Sequence, residues 1–152
     1  MKISSVFSNN GLIQSKYTCD ADDVNPPLKI EFVPALAKSL VLIVEDPDIP
    51  DFVKEKFGIK MWDHWVAFNI SPGTKEIGEN EKPGVQGKNT GHKNGYMGPC
   101  PPDREHRYFF KLFALDTKLD LPEGATKAEV ERAMEGHVLS KAELVGRYKR
   151  KQ

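Results

Sequence analysis

The sequence predicts one domain of mainly β structure, and three observations carry that reading. The chain has 152 residues, enough for a single core that buries roughly 70% of the unfolded surface. Its apolar segments are short, rich in β-branched and aromatic residues, and bounded by Pro, Gly and Asp. Only one segment carries a complete helix signature.

Each element has its own signal. Leu28-Lys29-Ile30-Glu31-Phe32 alternates apolar and charged residues between Pro27 and Pro34, as a half-buried strand does. Residues 39–45 form a continuous apolar run that reads as a central strand buried on both faces, stopped by Asp46-Pro47-Asp48-Ile49-Pro50-Asp51. A third strand is expected over 64–70 and a fourth over 107–114, where Tyr108, Phe109, Phe110 and Phe113 supply bulk. Residues 72–104 are loaded with Gly and Pro and too long for an ordinary connection, which marks a functional loop. Thr126 with Glu129 forms a capping box, Val130, Ala133 and Met134 share one helical face, and Gly136 ends the helix. Residues 142–148 read as a last strand. No repeat or heptad pattern is present.

Charge narrows the partners. Twenty-two Lys and Arg balance 22 Asp and Glu, so no global field attracts nucleic acid or an acidic membrane. The basic stretch Arg147-Tyr148-Lys149-Arg150-Lys151 reads as a solvated terminus. No segment approaches the ~20 apolar residues of a membrane span, and no secretion signal is legible at Met1–Phe7. Without either, the chain is expected in the cytoplasm; Cys19 and Cys100 lack CxxC spacing and are expected as two reduced thiols, with a single disulfide as the alternative.

Chemistry concentrates at strand ends. Asp46-Pro47-Asp48 presents two carboxylates on a stiff edge, Trp62-Asp63-His64-Trp65 opens the third strand, and Gly98-Pro99-Cys100-Pro101-Pro102 leads into His106-Arg107-Tyr108. Read singly, each fits a turn, a core histidine or a packed loop. Together they put two Asp, two His and a rigid loop at strand entrances and exits, which says more than any one of them.

With Lys16-Tyr17-Thr18-Cys19-Asp20, Pro26-Pro27-Leu28, Gly95-Tyr96-Met97 before the Gly98 loop, Met134-Glu135-Gly136-His137 and Glu143-Leu144-Val145-Gly146, these segments span nearly the whole chain. In that order they resemble the phosphatidylethanolamine-binding protein family, in its small bacterial and archaeal Raf-kinase-inhibitor-like branch. Gly91 and His92 depart from the aromatic residue and glycine usual there. The resemblance implies a β-sandwich with a large central antiparallel sheet, a smaller sheet, one or two short helices, and a shallow anion pocket at one edge. Carried over by position, its ligand-binding residues are Asp46, Asp48, Trp62, His64, Gly98, Pro99, His106 and Tyr108. Strand alternation turns Arg107 away from this set, toward an ion pair with one of the Asp46-Pro47-Asp48 carboxylates.

Imidazoles donate to oxyanions, and Asp46 could accept the O–H of a protonated phosphate and orient a histidine. An ammonium could meet Asp48 or Trp62. As the first residue of a Pro-rich turn, Asp46 is expected to cost about 1 kcal/mol on removal. Phe52, Val53 and Phe57, in the charged insertion 51–61, are assigned to the core. His137 is expected to bond at the helix end. The expected function is a non-enzymatic module for phosphate-type or phosphorylated headgroup ligands, without metal or cofactor, which could also regulate a kinase or protease partner; a homodimer is left open. The alternatives are a serine protease or kinase inhibitor, and a hydrolase using the Asp/His set.

Overall fold

The computed structural model describes residues 1–151. In chain order the elements are β1 (Lys2–Ser5), β2 (Gly11–Leu12), β3 (Leu28–Glu31), β4 (Ser39–Asp46), α1 (Asp51–Phe57), β5 (Trp62–Ile70), β6 (Glu76–Ile77), β7 (Val85–Gln86), β8 (His106–Leu115), α2 (Lys127–Met134) and β9 (Val138–Tyr148). Six strands make one sheet in the order β2-β9-β8-β4-β5-β7, and β1-β3-β6 make a second. The pairings are antiparallel except for β2 with β9.

β4 is central because every residue in it can be buried. Leu40, Leu42 and Val44 face the smaller sheet, packing in one cluster with Ile3, Ile30, Trp65, Tyr108, Phe110 and Leu112. Val41 and Ile43 face the other way, against Val66, Phe68, Leu119 and the Val130 and Met134 stripe of α2. The period of two therefore feeds two cores from one strand. α2 starts as expected: the Thr126 side chain accepts from Glu129 N–H while the Glu129 carboxylate accepts from Thr126 N–H.

The strands over 28–32, 39–45, 64–70, 107–114 and 142–148 are all present, with shifted ends. β3 stops at Glu31 because Phe32 has φ 59°, left-handed backbone that cannot continue a ladder. Within 72–104 lie β6 and β7, the latter extending the large sheet beside β5. His137 accepts its expected role, its Nδ1 2.8 Å from Asp116 Oδ1.

Two expectations are corrected. Phe52 and Phe57 are 65% and 49% exposed rather than buried in the core. α1 spans only seven residues and buries none of them: Val53 is half-buried outside both cores, Phe57 packs edge-on against Trp62 at 5.7 Å, and Phe52 faces out. Cys19 and Cys100 form a disulfide, with Cα atoms 5.5 Å apart, inside the range a bridge spans. The cysteine argument for a reducing compartment falls with it. Among the described residues, no helix is long and apolar enough to cross a membrane.

Candidate functional site

Parity along the strands delivers the polar groups. Asp46 continues the Leu40, Leu42, Val44 series, and the register Val44 to Phe110 puts Tyr108 and His106 on that same face of β8. Strict alternation would send His64 to the opposite face, with Val66 and Phe68. Instead the β4–β5 register slips by one residue between Val44–Trp65 and Glu45–Asp63. The extra residue is His64, and the bulge re-aims it toward Asp46 and Tyr108. Asp63 is left on the α2 side, where Lys127 Nζ bridges it and Glu45 at 3.0 and 2.7 Å.

These side chains line a cavity of about 180 Å³. Asp46, His64, His106 and Tyr108 supply its polar wall, and Trp62 with Ile49, Pro50, Val53 and Met97 its apolar one. Gly98, Cys100, Pro101 and Pro102 close the rim. Six of the eight residues named from sequence therefore meet there. Asp48 and Pro99 do not line it: Asp48 faces Arg107, whose Nε and Nη2 donate at 2.8 and 2.9 Å and whose backbone N–H adds a third bond at 2.9 Å. Arg107 thus makes the ion pair expected of it, and its guanidinium holds Asp48 below the usual carboxylate range against the opposing effect of burial. That leaves Asp48 poorly placed to meet a ligand ammonium. Ile49, Val53 and Met97 were missed as wall residues, although Ile49 and Met97 lie within segments that stood out.

The hydrogen bonds assign a role to each ring. Asp46 Oδ1 accepts from Asp48 N–H at 2.7 Å, and Asp46 Oδ2 lies 2.6 Å from His106 Nδ1. Both oxygens are engaged inside the protein, so Asp46 orients His106 rather than waiting for a ligand O–H. Burial disfavours charge on His106, but the Asp46 and Asp103 carboxylates outweigh it and raise its pKa. His64 goes the other way: burial lowers its pKa despite the Met97 carbonyl and the nearby Asp46. Its Nδ1 is 2.7 Å from the Met97 carbonyl oxygen, which can only accept, so Nδ1 carries the proton and Nε2 of the neutral ring is an acceptor.

Tyr108 lies between these rings, edge-on to His64 at 5.2 Å and nearly parallel to His106 at 6.4 Å. It is 1% exposed, and among the described residues its hydroxyl has no hydrogen-bond partner. Burial, reinforced by Asp46, pushes its pKa far above the ordinary range, so it stays a donor. An unpaired buried hydroxyl costs about 1–3 kcal/mol, and this one belongs to a residue that lines the cavity.

The rim loop is held rigidly. Gly98 N–H donates to Asp23 Oδ1 at 2.8 Å, Cys19 N–H donates to the Pro99 carbonyl at 3.1 Å, and Met97 N–H donates to the His64 carbonyl at 2.8 Å. A Cβ on Gly98 would fall 2.2 Å from Asp23 Oδ1 and 2.5 Å from the Tyr17 carbonyl oxygen. Gly98→Ala is accordingly expected to lose about 1–3 kcal/mol by overpacking, read from urea denaturation; an unchanged midpoint would show that the loop yields freely.

Comparison with known proteins agrees over the whole length. The family model described as phosphatidylethanolamine-binding protein matches residues 3–149. A UPF0098 protein of Methanothermobacter thermautotrophicus is 49% identical over 151 residues, covering 95% of each chain. The crystal structure of a phosphatidylethanolamine-binding protein homologue from Chlamydia trachomatis superposes with a TM-score of 0.94 at 44% identity, covering 99% of this chain and 97% of that one. YbcL of E. coli, described as a member of the mammalian family, superposes at 0.86 with 25% identity, covering 99% and 98%. A two-sheet fold, a cavity walled by the paired histidines, and matches that run from end to end have one reading: the chain belongs to the phosphatidylethanolamine-binding protein family.

Proposed function

We propose that the cavity is a binding site for a phosphate-type oxyanion carried on an organic group, and that the protein binds rather than turns over its ligand. The observation that carries this is the hydroxyl of Tyr108, without a hydrogen-bond partner among the described residues, beside one imidazole that donates and one that accepts. A monoanionic phosphoryl group matches all three: its charged oxygens take the Tyr108 O–H and the His106 Nε2–H, and its remaining O–H donates to His64 Nε2. Ile49, Val53, Met97 and Trp62 exclude water around it, which strengthens each bond. The organic substituent then lies along that apolar wall. The cavity's cysteine, Cys100, is tied into a disulfide, which takes it out of nucleophilic chemistry and supports the binding reading.

A phosphomonoester such as phenyl phosphate is the test ligand. Two titrations run in the same direction: His106 loses its charge as pH rises through its raised pKa, and the ester's second proton leaves near pH ~6, which removes the O–H that His64 accepts. Affinity is expected to fall about tenfold or more between pH 6 and pH 8, by calorimetry. Equal affinity at both ends would remove the roles of both histidines. Tyr108→Phe separates binding from folding: it deletes a hydroxyl with no partner, so the empty protein should gain stability or stay unchanged while affinity falls about tenfold. Lost stability with affinity intact would mean that the hydroxyl serves the fold.

A further inference from the structure

His106 has two nitrogens, and Asp46 takes Nδ1. A ligand can therefore reach only Nε2, and that atom is already occupied: Asp103 Oδ1 lies 2.6 Å from it. Asp103 sits three residues upstream, after Pro101 and Pro102, on the loop that forms the cavity rim. Its side chain is 37% exposed, whereas that of His106 is 1% exposed, so the carboxylate reaches inward from the surface to a buried imidazole; His106 lines the main cavity and Asp103 the depression beside it. On its outer side its Oδ2 is 3.7 Å from Arg104 Nε. Beyond lies a shallow cavity of about 210 Å³ lined by Pro101, Pro102, Asp103, Arg104 and the basic Lys149, Arg150 and Lys151. The carboxylate thus has a cationic partner on either side of it.

We propose that Asp103 is a tethered occupant of the anion position, and that an oxyanion binds by displacing it from His106 Nε2 toward Arg104 and Lys149. This rests on the anion-site reading given above. The geometry supports exchange rather than a permanent brace. The inner bond is short and charge-assisted, yet the group lies at the surface on a loop and meets basic side chains wherever it swings outward. A carboxylate held three residues from its target acts at an effective concentration in the millimolar range or above, so weak anions such as chloride or free acetate lose to it. A ligand that also reaches the Tyr108 hydroxyl and His64 Nε2 has two bonds that Asp103 does not make. Asp103 thereby sets a threshold and selects ligands that use the whole cavity.

The test is calorimetric titration of phenyl phosphate at pH 6 into the unmodified protein, Asp103→Asn, Glu105→Gln and the double variant Asp103→Asn/Tyr108→Phe. Glu105 pairs with Arg147 at 2.9 Å and lies two residues from Asp103, so its variant deletes the same charge from the same loop without touching His106. Asp103→Asn is expected to bind about tenfold tighter or more, Glu105→Gln to change little, and the double variant to lose the gain. Binding seen only after Asp103→Asn would also support the latch, as a site fully masked in the parent. If the parent binds but Asp103→Asn gains no more than Glu105→Gln, the latch is wrong and the anion site stands. If neither the parent nor Asp103→Asn binds, both fall.

Discussion

Asp46→Ala is expected to lose about 3–5 kcal/mol of stability at pH 6, far beyond the ~1 kcal/mol of an ordinary turn residue. The Asp46 side chain is 3% exposed and that of His106 1%, so deleting the carboxylate strands a buried imidazolium with Asp103 as its remaining partner. It also removes the acceptor for Asp48 N–H. Asp46→Asn keeps that acceptor and should recover part of the loss. The sign with pH is fixed by the two histidines. His106, raised in the folded state, contributes stability that is fully present below its unfolded value near ~6.5 and fades as pH rises through the folded one. His64 is lowered, so its burial costs stability as pH falls through ~6.5. Asp46→Asn should therefore shrink the acid-side gain to what Asp103 supplies and leave the His64 penalty, so the variant should lose more stability than the parent as pH falls below ~6.5 in urea titrations. A loss near 1 kcal/mol, independent of pH, would mean that His106 is neutral and Asp46 is the ordinary turn residue its sequence suggested.

Opening the disulfide is expected to cost about 2–4 kcal/mol, since Cys19 and Cys100 are separated by 81 residues and the bridge shortens a long loop of the unfolded chain. Three backbone contacts from Gly98, Pro99 and Met97 remain to hold the rim, so Cys19→Ser/Cys100→Ser should still fold and retain its β-sheet circular dichroism. Guanidinium denaturation with and without reductant measures the difference. Equal midpoints would show that those three contacts suffice.

What the sequence made legible was whatever a strand writes locally. β4 announced itself because a strand buried on both faces needs an unbroken apolar run, and Thr126 with Glu129 announced α2 because a capping box is complete within four residues. Alternation turned Arg107 toward an Asp46-Pro47-Asp48 carboxylate, but that the partner is Asp48 only the structure shows. The disulfide stayed hidden because its two loops meet only after both sheets assemble. The position of His64 depends on one extra residue in β5 relative to β4, a register property that neither strand shows by itself. α1 was unreadable for another reason: its seven residues mix charge with aromatics, and which side of so short a helix touches the body is decided by the end of β4. Asp103 carried no motif at all, and only the committed Nδ1 of His106 gives its position meaning.

A crystal structure grown with phenyl phosphate at pH 6 tests most directly whether the hydroxyl of Tyr108 receives an oxyanion. A phosphoryl oxygen is expected within hydrogen-bond distance, about 2.5–3.0 Å, of Tyr108 Oη, with the phenyl ring against Ile49, Val53 and Met97. Phosphate bound only elsewhere, with ordered water alone on Tyr108 Oη, would contradict it.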